Sequence, residues 1–298
     1  MRRIVSSFLA GMVGLSALVV VASLANAANS YSFTPIDVPG AIRTAAAGIN
    51  NAGQIVGTFI NPNEDCHACM ISHGFLDTGG SFTQIDVPGV TFTVASGIND
   101  AVQIVGTFQL RHGFLDTGGS FTQIDVPGAT GTFANGINNA GQIVGVFSTG
   151  VDHGFLDTGG SFTQIDVPGA IFTQPSGIND TGQIVGTFRD SMGNAHGFLY
   201  TGGSFTQIDV PSATDTLANG INNAGQIVGN FQNSIGPLHG FLATPVVTFA
   251  GIPGKPNCIG KSVSALAQQY GGLNAAAAAL GYASVQALQQ VIMTFCEA

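Results

Sequence analysis

Five histidines and five aspartates recur along the chain, and both residue types can bind metals or transfer protons. Such groups could form a metal-binding or proton-binding ring. Because each returns in every copy of a repeated pattern, a scaffold role is simpler: histidine bonding a strand, aspartate accepting N–H groups at a turn. A recurring asparagine is expected to form turns. These residues are His73, His112, His153, His196 and His239; Asp37, Asp86, Asp125, Asp166 and Asp209; and Asn50, Asn99, Asn138, Asn179 and Asn222.

A second group of reactive residues, Cys66, His67 and Cys69, lies in one polar segment. Thiolate and imidazole suit soft metals, but one C-x-x-C falls short of the two pairs typical of structural zinc sites. Haem attachment needs a histidine directly after the second cysteine, and thioredoxin-like motifs lie near a βαβ pattern; neither feature is in this sequence. We therefore expect a local Cys66–Cys69 disulfide and no cofactor. A metal site and reversible redox chemistry are the alternatives.

The composition of the 298-residue chain limits the classes of partner. Only 8% of the residues are charged, and seven Lys and Arg face 16 Asp and Glu. This acidic balance provides no basic footprint for a nucleic acid. A hydrophobic content of 45% argues against disorder.

Residues 1–27 have the features of a secretory signal peptide. Arg2 and Arg3 precede an apolar stretch, and small residues follow at Ala25 and Ala27. A retained membrane anchor is the alternative. Beyond this segment no apolar run is long enough to span a bilayer, so we expect a secreted or periplasmic protein without a membrane span. Cysteines tend to pair in such compartments, and Cys258 and Cys296 are expected to form a disulfide.

Five copies of one pattern run from Tyr31 to about Thr244. Each copy contains four short β-branched or aromatic runs, A to D, separated by Gly, Asn, Asp or Pro. Run A ends in Gly-Ile-Asn, B holds Gln-Ile-Val-Gly, C holds His-Gly-Phe-Leu and D reads Ser-Phe-Thr-Gln-Ile-Asp-Val in its commonest form. About 40 residues in four antiparallel strands match a propeller blade, so residues 28–250 predict an all-β, five-bladed β-propeller. An open β-solenoid is the alternative.

Two details of this propeller remain open at the level of sequence. The strand that completes the fifth blade could be residues 32–38, from the N-terminal side, or residues 246–249. Val102 replaces the glycine that the other copies have in the A–B turn. That turn should therefore be strained or differently built, since glycine tolerates positive φ and valine does not.

The linked words Gly-Ile-Asn, Gln-Ile-Val-Gly and His-Gly-Phe resemble the HAF family of probable extracellular bacterial repeat proteins. The family is named for a His-Ala-Phe signature, and this chain has glycine in place of alanine. The resemblance covers the repeats, roughly 70% of the chain. It implies export and repetition but no activity, cofactor or catalytic residue.

The two ends of the predicted propeller differ in variability. The A–B and C–D turns are nearly constant, whereas the B–C loops (60–72, 109–111, 148–152, 189–195 and 232–238) vary in length. Length variation confined to one end often marks a binding surface. The D–A connections at that same end vary at two positions, which should ring the channel mouth and hold a partly apolar ligand or peptide end; drift in exposed turns is the alternative. The candidate ligand-binding residues are Ile42, Arg43, Phe92, Ile171, Phe172 and Asp215.

Residues 251–298 form a linker and a tail of different composition. Three short helices are expected: one over 262–270, one capped by Asn274 and ending before Gly281, and one capped by Ser284. The predicted Cys258–Cys296 disulfide would close this tail.

These patterns predict an exported, noncatalytic protein that binds an extracellular ligand or protein through the variable end, and we expect a monomer. One alternative is a glycoside-hydrolase-like propeller with Asp215 in its channel, although that chemistry needs two acids. The other is a purely structural envelope or matrix component.

Overall fold

The computed structural model describes residues 35–62, 71–233, 237–245, 249–270, 272–279, 282 and 284–297. By contacts the chain divides into Met1–Pro35 and Ile36–Ala298, and the second unit contains everything described below. Five antiparallel sheets follow one another, and the strands of each sheet pair in chain order. This topology is the predicted five-bladed β-propeller.

Each blade is named by its order in the chain. Blade 1 contains β1 (Arg43–Ile49), β2 (Ile55–Ile60), β3 (His73–Thr78) and β4 (Ser81–Ile85); blade 2 contains β5 (Thr93–Ile98), β6 (Gln103–Phe108), β7 (His112–Thr117) and β8 (Ser120–Ile124); blade 3 contains β9 (Gly131–Ile137), β10 (Gln142–Ser148), β11 (Asp152–Thr158) and β12 (Ser161–Ile165); blade 4 contains β13 (Phe172–Ile178), β14 (Ile184–Arg189), β15 (Ala195–Thr201) and β16 (Ser204–Ile208); blade 5 contains β17 (Asp215–Ile221), β18 (Ile227–Gln232) and β19 (His239–Ala243).

Two of the repeated glycines are required by close packing. A Cβ on Gly106, in the Gln-Ile-Val-Gly word of blade 2, would collide with the Val94 carbonyl and lie 2.8 Å from the Phe114 ring. A Cβ on Gly97, in Gly-Ile-Asn, would lie 3.1 Å from the carbonyl of Asn135 in the next blade. The glycine of Gln-Ile-Val-Gly is therefore needed where the second strand of a blade passes close to an aromatic ring. The glycine of Gly-Ile-Asn is needed where the first strands of neighbouring blades, which we call the inner strands, approach each other.

The hydrophobic core lies between blades rather than within them. Ile85, at the end of blade 1, packs with Ala95, Ile98 and Ile104 of blade 2. Equivalent clusters join the following blades. Because each sheet buries its face only against a neighbour, a single blade would not be stable alone.

Four of the five junctions between blades have the same contacts, and the junction from blade 5 to blade 1 differs. Val228 in blade 5 is 50% exposed, whereas its equivalents Val56, Val105, Val144 and Val185 are fully buried. Among the described residues, blade 5 has three strands. The two segments predicted to supply the fourth strand are only partly described, because residues 32–34 of the first and 246–248 of the second lie outside the described residues. Val38, at the end of the first segment, donates its N–H to Thr44 Oγ1 (3.1 Å), as Val87 does to Thr93.

The A–B turn of blade 2 is strained rather than differently built. Val102 has φ 59°, in the left-handed region where the other blades place glycine. Its N–H donates to the Asn99 carbonyl (3.1 Å), as the N–H of Gly141 does to Asn138 (3.0 Å). The turn keeps its geometry, so the valine carries a backbone cost that glycine avoids.

The tail consists of α1 (Cys258–Tyr270), α2 (Leu273–Ala279) and α3 (Val285–Glu297). The predicted start of α1 at Ser262 was wrong: the helix begins at Cys258, and buried Ser262 accepts the Gly251 N–H (3.0 Å). Asn274 is not a cap, because α2 already includes Leu273. The cap at Ser284 is confirmed by its bond from the Ala287 N–H (3.2 Å).

The Cys258–Cys296 disulfide is confirmed, with Cα atoms 5.7 Å apart. Both cysteines belong to a core that the helices share, with Leu266, Leu288 and Ile292 at its centre. In the part of the chain that the structure describes, no helix has the length and apolar character to cross a bilayer.

Candidate functional site

The meander places the two kinds of connection at opposite ends of the propeller. We call the end that carries the A–B and C–D turns the turn end. The end that carries the B–C loops and D–A connections is the loop end. The pairing of each strand with the next fixes this assignment.

Asparagines at the turn end bind each blade to the next one. Asn138 Oδ1 accepts the N–H groups of Ala140 (3.1 Å) and Gln142 (2.9 Å), which confirms its role in the turn. Its Nδ2 also donates to the carbonyl of Asn179 in blade 4 (3.1 Å). The same bond joins blades 1 and 2, 2 and 3, and 4 and 5. Sequence reasoning predicted the turn but missed this contact between blades.

A second line of polar bonds crosses the turn end through the residues that follow Gly-Ile-Asn. Asp100 accepts the Asn51 N–H (2.9 Å) and amide bonds from Asn51 and Asn139. Asp180 is bonded in the same way by Asn139 and Asn223. The bonds from the Asn51 backbone and side chain lower the pKa of the Asp100 carboxyl. Asn and Asp alternate from one blade to the next at the position after Gly-Ile-Asn, and this alternation was the feature of the sequence that could have predicted these bonds.

A cavity of about 200 Å³ opens at the turn end, between the inner strands of all five blades. The Asn and Asp side chains in its wall already hold one another, as Asn139 holds Asp100 and Asp180. A polar ligand would have to replace these bonds, so the cavity is a poor candidate for a binding site.

The repeated histidines bind the repeated aspartates. His153 Nδ1 lies 2.7 Å from Asp166 Oδ2, Gln164 Nε2 donates to the same oxygen, and the imidazole packs on Phe147. Blades 1, 2 and 4 repeat the His–Asp pair at 2.7–2.8 Å. This supports the expected scaffold role, but in these four blades the histidine pairs with an aspartate side chain rather than with a strand. His239 packs on Phe231 and has no bond to Asp37 among the described residues.

His196 in blade 4 has a second acidic neighbour. Its Nδ1 lies 2.8 Å from Asp209 and its Nε2 lies 3.4 Å from Asp190. Burial opposes the charged imidazole, but the bonds and charges of Asp209 and then Asp190 raise the pKa of His196 above its ordinary value. Asn194, followed by weaker contacts that include His196, lowers the pKa of Asp190 to about 2.

The structure places the six predicted ligand-binding residues at the loop end, at or just before the start of an inner strand. Ile42 and Ile171 are 52% and 53% exposed, and Arg43 is exposed. Phe92 and Phe172 are half-buried. Asp215 is also half-buried, and its Oδ1 accepts the Ala195 N–H (3.0 Å).

Sequence reasoning missed that B–C loops and D–A connections of neighbouring blades touch. Ser72 of blade 1 forms an isolated parallel β-bridge with Phe92 of blade 2. The Arg111 carbonyl of blade 2 accepts the Thr132 N–H of blade 3 (2.8 Å). Together with Asp215 and Ala195, these contacts show that the loops line the same surface as the predicted residues.

The cysteine segment, with Cys66, His67 and Cys69, lies outside the described residues, so its predicted disulfide and its metal alternative stay predictions. Among the residues that are described, no group of three His, Cys, Asp or Glu side chains is arranged to hold a metal ion.

No protein-family model and no curated protein matches the chain, so membership of the HAF family also stays a prediction. Solved propellers give distant matches. The fucose-specific lectin from Aleuria aurantia is 15% identical at TM-score 0.41 and covers 67% of this chain and 73% of its own. YCF48 bound to D1 peptide is 13% identical at TM-score 0.42, covering 76% and 79%. Pyrococcus horikoshii acylaminoacyl peptidase is 11% identical at TM-score 0.40, covering 70% and 34%. These values carry no information on ligand or activity.

Proposed function

We propose that the protein is an exported, noncatalytic β-propeller that binds a ligand or protein partner through its loop end. One observation supports this most directly. Of the nine exposed large aliphatic side chains of the described blades, six lie at the loop end, and the other three, Ile49, Val228 and Leu242, belong to blades 1 and 5, whose junction differs from the others. The six at the loop end are Ile42, Leu110, Val151, Ile171, Met192 and Leu238.

Single exposed aliphatic residues are common on soluble proteins and need no explanation. Six at one end are different, because the turn end of the same repeats carries Asn and Asp side chains that bond to each other instead. Met192 is 82% exposed at the tip of the B–C loop in blade 4. Aromatic residues, Met and Arg are enriched in protein interfaces, and the loop end combines all three.

The hydrogen bonds of the two ends support the same assignment. At the turn end the amide and carboxylate groups bind each other and join the blades, so changing them would damage the fold. At the loop end about half of the Ile42 and Ile171 side chains is exposed, and Leu110 is also exposed. Their side chains can therefore change without loss of the core.

An enzymatic role has less support. Glycoside hydrolysis needs two positioned carboxyl groups, and Asp215 already accepts the Ala195 N–H. The four equivalent positions hold Arg43, Phe92, Gly131 and Phe172. A purely structural role would require tight association with an envelope or matrix fraction in place of saturable binding.

The experiment introduces a photo-crosslinking amino acid at Phe172, and in a matched protein at Thr117, which is exposed at the turn end. Both proteins are incubated with the extracellular fraction of the producing culture and illuminated. We expect saturable crosslinks from position 172 that the unlabelled protein competes away, and none from position 117. Equal crosslinking from both positions, or none from 172, would reject the loop end as the binding surface.

Export is a separate part of the proposal, supported by the signal-peptide features of residues 1–27 and by the Cys258–Cys296 disulfide. Protein recovered from outside the cytoplasm should begin at Ala28. Recovery with residues 1–27 still attached would favour the membrane anchor instead.

A further inference from the structure

We propose that the loop end recognises an acidic segment of a partner protein, in which carboxylates lie beside apolar side chains. This inference rests on the proposed function and adds the chemistry of the partner. It begins from the distribution of the basic residues. Beyond the predicted signal peptide the propeller region has three, Arg43, Arg111 and Arg189, and all three lie at the loop end.

Each arginine is close to the start of an inner strand. Arg43 is the first residue of β1, and Arg189 pairs with Phe172 at the start of β13. Arg111 lies beside Gly131, because a Cβ on that glycine would be 3.8 Å from the Arg111 Cα. The arginines therefore border the surface that carries Phe92, Phe172 and the exposed isoleucines.

The three arginine side chains are exposed and form no ion pair with a carboxylate among the described residues. Arg189 donates one bond to the Gly193 carbonyl (2.8 Å) and leaves its other donors available. This is notable in a chain with 16 acidic residues. Unpaired guanidinium groups on an acidic protein are suited to a carboxylate that comes from outside.

Several acids at this end already have partners within the chain. Asp190 accepts the Met192 and Asn194 N–H groups, and Asp215 accepts that of Ala195. Asp86, Asp125, Asp166 and Asp209 hold the repeated histidines. Asp152 is the acid of the described B–C loops for which no such bond is seen. Few carboxylates of the chain are therefore left to compete with an incoming carboxylate for the arginines.

The neighbouring apolar groups define the second half of the partner. Phe92, Phe172, Ile42 and Ile171 would cover apolar side chains, while the guanidinium groups bind carboxylates in a bidentate manner. A nucleic acid is also negatively charged, but three arginines form too small a basic footprint for its phosphates. An anionic lipid surface is a different class of partner and is treated as an outcome of the test.

The test selects random dodecapeptides displayed on phage against the immobilised full-length protein. The arginine variant is R43Q/R111Q/R189Q. Its matched control, T83E/T122E/T163E, changes the net charge by the same amount at exposed positions of the outer strands. We expect the selected peptides to be enriched in Asp and Glu next to apolar residues. The arginine variant should retain them about tenfold less, and the control should retain them as the parent does.

The inference is overturned if the selected peptides are neutral or basic, if no peptide is enriched, or if the arginine variant retains them equally. Sedimentation with phosphatidylglycerol vesicles, but no peptide enrichment, would also overturn it and assign the surface to a membrane. A further variant, F92A/F172A, separates the two proposals. Retention that depends on these phenylalanines and not on the arginines would preserve the proposed function and reject the acidic partner.

Discussion

The two ends of this propeller are built from the same five repeats, yet their side chains have different roles. At the turn end Asn99 donates to the Asn138 carbonyl and Asp180 accepts the Asn139 N–H, and both bonds join one blade to the next. At the loop end the backbone of neighbouring blades touches, while the side chains of Ile42 and Met192 extend into solvent. Hydrogen bonds that recur from repeat to repeat join the blades at the turn end, so the side chains at the loop end are free to vary.

The largest effect that we expect comes from removing one junction asparagine. Asn138→Ala deletes three bonds within its own blade, two at Oδ1 and one from Nδ2 to Gln142, and leaves the carbonyl of Asn179 without its donor in a buried setting. Chemical denaturation should show a loss of roughly 2–4 kcal/mol in the free energy of unfolding. The loop-end control, Ile171→Ala, should change it by less than about 0.5 kcal/mol. Equal losses would mean that the two ends do not differ in their contribution to stability.

A smaller effect should follow from copying the strained turn of blade 2 into blade 3. Gly141 has φ 74°, and a Cβ there would meet only the end of the Gln103 side chain at 3.9 Å. Gly141→Val should therefore cost backbone strain without a steric clash, about 1–2 kcal/mol by thermal or chemical denaturation. Asparagine tolerates this conformation, so Gly141→Asn should cost less. No difference between valine and asparagine would show that strain is not what glycine avoids here.

The smallest effect concerns protonation at the loop end. Because the pKa of His196 is raised in the folded protein, its stabilising contribution is complete below the ordinary pKa of 6.5 and is lost as pH rises through the folded value. Asp190→Asn removes one of the two carboxylates that favour the charged ring. An NMR titration of the His196 imidazole should then give a lower midpoint than in the parent.

The control for this titration is Asp180→Asn, which removes a carboxylate from the turn end. It should leave the His196 midpoint unchanged. If Asp190→Asn also leaves it unchanged, Asp190 does not act on the imidazole.

Sequence patterns predicted the repeated parts well because spacing within one copy encodes them. The strands, the turn role of Asn138 and the strain at Val102 depend on neighbours in the same blade. The bond from Asn138 to Asn179 joins residues 41 positions apart, and no local pattern shows that the two turns meet. The contact of Arg111 with the start of blade 3 was missed for the same reason. The early start of α1 depends on packing within the tail.

Amide hydrogen exchange across the blades tests the central claim most directly. In the free protein we predict slow exchange for the N–H groups of Asn99, Asn138 and Asn179, which donate within the turn end. Faster exchange is expected for Gly150, Val151 and Ser191 in the B–C loops, whose N–H groups donate no hydrogen bond among the described residues. Addition of a selected acidic peptide should slow exchange in the loops and D–A connections alone. Slow exchange in the free loops, or protection that the peptide adds at the turn end, would contradict the division of roles between the two ends.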